Sequence, residues 1–148
     1  MKCERWCIYY FSIAGALLLF TGVAKVMSSG ATVAALNSPD PLLGLKYRQV
    51  YLFVGVFEML LASWILFTGN RTVQSIVLLW FSGILLIYRV GRYWIGAREP
   101  CSCLGRLTEA LAISPSTVDL LMKYSLAYLL LGALLTLYLL HSFGKNNV

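Results

Sequence analysis

Apolar residues in this chain fall in four long blocks, each long enough for a membrane-spanning helix. A helix needs about 20 predominantly apolar residues to cross the hydrocarbon core of a bilayer. The blocks are separated by clusters of turn-forming or charged residues, and they predict spans at residues 7–27, 48–67, 73–96 and 118–140. We therefore expect an all-α fold, an integral membrane four-helix bundle that forms one membrane domain over residues 1–148.

Composition and charge agree with a membrane protein. The chain is 59% hydrophobic and 12% charged, whereas soluble domains carry about 25% charged residues. Four spans consume roughly 80 to 90 residues, which leaves no room for a soluble catalytic domain. The net charge of +6 lies on residues that flank or enter the spans, so it does not indicate nucleic-acid binding. The lipid bilayer is the expected environment.

The first apolar block also resembles a secretory signal, because Lys2 and Arg5 precede it and small residues follow it at 28–31. A signal core is usually about 7 to 15 residues long, and the block at residues 7–27 is longer. We therefore expect a retained helix. The connectors carry their own signals: Pro39 and Pro41 predict a turn-rich first connector, and Ser116 with Asp119 forms a capping-box pattern before the last span.

Four spans place both chain ends and the turn at Gly69 on one side of the membrane, called side A, and the other two connectors on the opposite side, called side B. Basic residues outside the spans divide evenly between the two sides, so the positive-inside rule does not orient the protein.

Several ionisable residues lie within or at the edge of the spans. An ionisable side chain inside a membrane is costly and points to a functional role. Glu58, near the middle of the second span, is therefore expected to face the bundle interior. The predicted cofactor-binding residues, all in the side B half of the bundle, are Lys25, Glu58, Arg89 and Arg92. In one interpretation Glu58 only pairs with Lys25 or Arg89, while Arg92 and Lys123 extend to the lipid headgroups. In the other, these residues surround a polar cavity for an anionic or quinone-like ligand.

Cys101 and Cys103 are the predicted catalytic residues. They follow Pro100, which ends the third predicted helix, and precede Gly105, so the two sulfurs are expected on a loop at side B. A disulfide between cysteines two residues apart requires a bent backbone, and strained, exposed disulfides are the ones that exchange. Arg98 and Arg106 on either side would favour the nucleophilic thiolate. A static bridge or two buried thiols is the alternative.

No metal site is predicted. Zinc usually takes four ligands, and side B offers no histidine. On side A, Cys3 and Cys7 could face one way on a helix and, with His141, offer three soft metal ligands. The two cysteines are instead interpreted as ordinary interfacial residues, because a free cysteine commonly behaves as a small hydrophobic side chain.

The chain resembles the small four-helix membrane proteins of the MauE and DoxX group. The resemblance rests on Lys25 closing the first helix, Glu58 in the second, and above all on the Cys-x-Cys-x-Gly motif at residues 101–105, a feature of the MauE branch. It implies the bacterial inner membrane and thiol or sulfur redox chemistry. MauE-like proteins are implicated in maturing a periplasmic amine dehydrogenase rich in disulfides, and DoxX-like proteins in quinone-reducing systems. The resemblance assigns no role to Cys3 or Cys7.

Two functional hypotheses remain. In the first, the chain is an oxidoreductase or a subunit of one: Cys101 and Cys103 exchange disulfides with a periplasmic or membrane redox protein, and a quinone near the basic residues carries the electrons. The cysteine loop then faces the periplasm, because disulfides persist in oxidising compartments. In the second, the chain is a non-catalytic membrane subunit that anchors or assembles a larger complex.

Overall fold

The computed structural model describes residues 2–30, 34–96 and 114–145, and long helices dominate these segments. The helices are α1 (Lys2–Ser29), α2 (Tyr47–Phe67), α3 (Arg71–Trp94) and α4 (Pro115–Lys145), with a short 3-10 helix at Ala34–Asn37. Each long helix contains a segment apolar enough to cross a bilayer. The predicted all-α membrane bundle is therefore confirmed.

Side-chain caps mark the starts of two helices. The Asn70 side chain accepts a hydrogen bond from the Val73 amide at 3.3 Å and caps α3. At α4 the cap is Ser114, whose hydroxyl accepts from the Thr117 amide at 3.3 Å. The predicted capping box at Ser116 is therefore wrong. Proline is well suited to the first helical position, so α4 begins at Pro115 and the preceding serine becomes its cap.

Long-range contacts show that the neighbouring helices are antiparallel. Lys25 of α1 bonds Glu58 of α2, whereas Gly15, nearer the chain start, lies against Leu66, nearer the end of α2. Likewise, Ser75 near the start of α3 bonds Thr136 late in α4. The Tyr10 hydroxyl of α1 donates to the Leu129 carbonyl of α4 at 2.7 Å. Within the described residues, the start of α1 and the end of α4 therefore lie on side A, as predicted.

The bundle is built from two closely packed helix pairs, α1 with α2 and α3 with α4. Glycine permits the closest approach in the first pair: a Cβ added at Gly22 would lie 2.8 Å from the Gly55 carbonyl oxygen, and one added at Gly55 would lie 2.9 Å from that of Gly22. Small residues at such positions let helix backbones touch inside membranes. Gly15 and Gly132 are also tightly packed, whereas Gly83 has open space around it and takes no part in a close helix contact.

Gly22→Ala should therefore destabilise the bundle. Its methyl group meets backbone that moves only if α1 and α2 separate, and overpacking of this kind costs about 1–3 kcal/mol. We expect a lower midpoint of thermal unfolding in detergent. Gly83→Ala is the matched control, because nothing lies within 4 Å of its added methyl group and alanine favours a helix. Equal midpoints for the two variants would contradict the close contact.

Candidate functional site

A cavity of about 520 Å³ lies in the side B half of the bundle. Residues from all four long helices and from the first connector form its wall, and most of them are aliphatic. Its principal polar side chains are those of Thr21, Lys25, Tyr51, Glu58, Tyr88 and Arg89. Ligand pockets are commonly about 300–1,000 Å³, largely apolar, with a few converging polar groups. The cavity therefore has the size and lining expected for a small organic ligand.

An ion pair between Lys25 and Glu58 forms the deepest polar part of the wall. Lys25 Nζ donates to Glu58 Oε1 at 2.5 Å, and Thr21 Oγ1 donates to Glu58 Oε2 at 3.1 Å. The relative exposure of Glu58 is 2% and that of Lys25 is 9%. A carboxylate at this depth needs such partners, because an unpaired charge in the bundle is very costly. The predicted inward orientation of Glu58 is confirmed, and of its two predicted partners, Lys25 and Arg89, Glu58 pairs with Lys25.

Arg89 has a different partner. Its guanidinium donates to Asp119 Oδ1, and Lys123 Nζ lies 2.7 Å from Asp119 Oδ2. The three ionised side chains together carry one net positive charge at the side B end of α3 and α4, and Arg89 also lines the cavity. Asp119 was interpreted from sequence only as part of a cap. The sequence does indicate its pairing with Lys123, because residues four apart lie on one face of a helix.

Arg92 lies beneath the first connector. Its relative exposure is 7%, and the guanidinium carbon is 5.5 Å from the centre of the Tyr47 ring, within range of a cation–π interaction. Arg92 therefore does not extend to the lipid headgroups. It is also not among the described residues that line the cavity, so its assignment to cofactor binding stays a prediction.

Asp40 ties the first connector to α3. Its Oδ1 accepts hydrogen bonds from the Leu42 and Leu43 amides at 2.8 and 3.1 Å, and the Tyr88 hydroxyl donates to Oδ2. Burial alone would raise the pKa of Asp40, but these hydrogen bonds and the nearby charge of Arg92 together lower it below its usual range. The carboxylate is therefore ionised at neutral pH. The predicted turn-rich connector is confirmed for residues 34–46, but sequence reasoning missed this link.

The connector also covers part of the cavity. Leu42 and Leu43 belong to the wall, and Leu42 lies against Gly91, where a Cβ would come within 3.3 Å of it. Since Tyr88 lines the cavity as well, the bond to Asp40 holds the connector at the side B end of the site.

The tyrosine and tryptophan residues of side B fall into two groups. Tyr51 and Tyr88 line the cavity, whereas Tyr93, Trp94 and Tyr124 are exposed on the outer surface. Exposed aromatic residues near helix ends are typical of the belt at the membrane interface. Tertiary packing thus separates the residues that can touch a ligand from those that contact lipid headgroups.

The family model described as methylamine utilisation protein MauE matches residues 6–143. The chain belongs to the MauE family. Family membership associates the protein with methylamine utilisation, and its apolar helices make it a multi-pass membrane protein. No curated protein and no solved structure matches the chain.

The predicted catalytic residues of this MauE-family protein, Cys101 and Cys103, lie outside the described residues, as do Arg98 and Arg106. Gly96 and Ser114, which border that segment, both lie at the side B end of the bundle. Of the cysteine and histidine residues toward side A, Cys7 is buried in the core, and His141 is exposed. Across residues 2–30, 34–96 and 114–145, no group of three or more metal-ligating side chains is close enough to hold an ion.

Proposed function

We propose that this protein is an inner-membrane thiol/disulfide oxidoreductase, or a subunit of one, that links Cys101 and Cys103 to a quinone in the side B cavity. The observation that carries the proposal is the cavity itself, an apolar space whose wall contains the buried pair of Lys25 and Glu58. Its largely aliphatic lining suits an apolar redox carrier, and its few polar groups suit the oxygens of a quinone ring.

The proposed reaction balances for electrons and protons. A thiolate of the partner attacks the Cys101–Cys103 disulfide and forms a mixed disulfide. The partner's second thiol resolves this bond, which leaves the partner oxidised and Cys101 and Cys103 as thiols. Closing the Cys101–Cys103 disulfide releases two electrons and two protons, and a bound quinone supplies the chemistry that accepts both. The net reaction converts a partner dithiol into a disulfide. A partner from the periplasm with cysteines to be oxidised fits the association of the family with methylamine utilisation.

The residues of the cavity wall have distinct tasks in this proposal. Lys25 and Arg89 provide positive charge toward the ligand oxygens, through charge-assisted hydrogen bonds. Glu58, oriented by Lys25 and Thr21, holds or releases a proton at its carboxylate next to the cavity. Chain connectivity supports communication with the thiols: Cys101 is five residues from Gly96, a distance of at most about 18 Å for an extended chain.

Differential alkylation tests this function. In native membranes of a Cys3→Ser, Cys7→Ala background, added quinone should protect Cys101 and Cys103 from maleimide, because it drives them to the disulfide, and a reductant should restore labelling. A membrane-impermeant maleimide applied to spheroplasts should label the reduced pair, since we place side B in the periplasm. Labelling that does not respond to quinone would instead favour the non-catalytic subunit.

A further inference from the structure

The cavity lies against a stretch of the bundle where α2 and α3 are not closely packed, and we call this stretch the window. On the side A edge of this window, the Phe57 and Phe81 rings approach to 5.5 Å between centroids. Leu42 and Leu43 of the connector lie at the side B edge. Between these edges α2 and α3 are not closely packed, in contrast to the pairs α1 with α2 and α3 with α4.

Two isoleucines of α3 border both the cavity and the outer surface at this window. Ile84 and Ile87 line the cavity, yet their relative exposures are 43% and 73%. Both belong to the membrane-spanning segment Arg71–Trp94, so the surface on which they are exposed contacts hydrocarbon. The cavity therefore opens sideways into the bilayer.

The cavity is polar on one side and apolar on the other. The Lys25–Glu58 pair is buried on the α1 and α2 side, whereas the window side is bordered by isoleucine side chains. A ligand with a polar head and an apolar chain would satisfy both ends. The apolar chain would pass from lipid tails to the aliphatic side chains of the window. Since these two environments are equally apolar, the chain would incur no desolvation cost there.

We propose that the ligand enters the cavity from the plane of the membrane, between α2 and α3, and is a quinone with an isoprenoid chain that remains in this window beside Ile87. This inference rests on the proposed function and adds the class of quinone and its route. The head group lies toward Lys25 and Glu58, and the connector held by Asp40 and Tyr88 closes the side B end.

Ile87→Trp tests the route, because a bulky side chain at the exposed rim narrows the window without entering the core. We expect the Kd of a long-chain ubiquinone to rise by on the order of tenfold, measured with the full-length protein in nanodiscs. The Kd of the same head group without a chain should stay within about twofold of wild type. Ile76→Trp is the matched control, since Ile76 is exposed on the same helix but lies outside the cavity wall.

The outcomes separate this inference from the proposed function. Equal Kd values for the long-chain quinone in the Ile87→Trp and Ile76→Trp variants would overturn the route, even if quinone still oxidises the thiols. If the Kd of the long-chain quinone rises only in the Ile87→Trp variant but quinone does not oxidise Cys101 and Cys103, the route is supported and the redox function is overturned. Binding of neither quinone to the wild-type protein would overturn both.

Discussion

Serine at both Cys101 and Cys103 should abolish partner oxidation, while membrane insertion and folded yield remain close to those of the unmodified protein. The two thiols are the proposed covalent centre, and removing a covalent nucleophile typically costs on the order of 10³-fold or more in rate. The measurement is the initial rate of quinone-dependent oxidation of a dithiol substrate by purified protein. The single variants add a second readout when the partner is supplied in its disulfide form. The variant that keeps the more reactive thiol should then accumulate a mixed disulfide, because the second loop thiol that would resolve it is absent.

Cys7→Ala is the control for this experiment. Cys7 is buried in the core toward side A, across the membrane from the predicted loop, so its replacement should leave the oxidation rate unchanged. Full activity in the Cys101→Ser, Cys103→Ser double variant would contradict the redox proposal and favour the non-catalytic membrane subunit.

Variants of the Lys25–Glu58 pair should separate its effect on folding from its effect on activity. Either Lys25→Met or Glu58→Leu alone leaves one buried charge without its partner, and such a loss costs about 3–5 kcal/mol. We therefore expect both single variants to give little folded protein. Replacing a buried ion pair by apolar residues of similar volume is often neutral or stabilising, so the Lys25→Met, Glu58→Leu double variant should recover the folded yield. It should not recover quinone-dependent thiol oxidation.

The difference between yield and activity is what distinguishes the two interpretations of this pair. If the double variant recovers activity together with folded protein, then the pair is only structural. The matched control is Ser75→Ala with Thr136→Val, which removes another buried hydrogen-bonded pair between helices that lies outside the cavity wall. That variant should lose some stability but keep its activity per folded molecule.

Sequence by itself determined the class of protein, its four predicted spans and the inward orientation of Glu58. These features follow from local patterns: an apolar block of sufficient length must cross the bilayer, and a carboxylate in such a block must avoid lipid. The MauE resemblance likewise rested on local features, chiefly the Cys101–Cys103 motif, and the family match over residues 6–143 agrees with it.

Tertiary structure decided which charges meet. Lys25 and Arg89 were equal candidates for Glu58, because both lie at a suitable depth. The close contact of Gly22 with Gly55 brings α1 against α2 and directs Lys25 to Glu58, while α3 turns Arg89 toward Asp119 on α4. The rotation of each helix depends on packing between segments far apart in the chain, which no local pattern records.

Packing between distant segments also explains the contacts of Asp40 and Arg92 and the presence of the cavity. Prolines predict turns in the first connector, but they do not show where the folded connector lies. In the structure, Asp40 of the connector accepts a hydrogen bond from Tyr88, and Arg92 lies over the Tyr47 ring. The cavity exists because two well-packed helix pairs leave space between them. A space of this kind is a property of the assembled bundle, since it depends on where helices fail to touch.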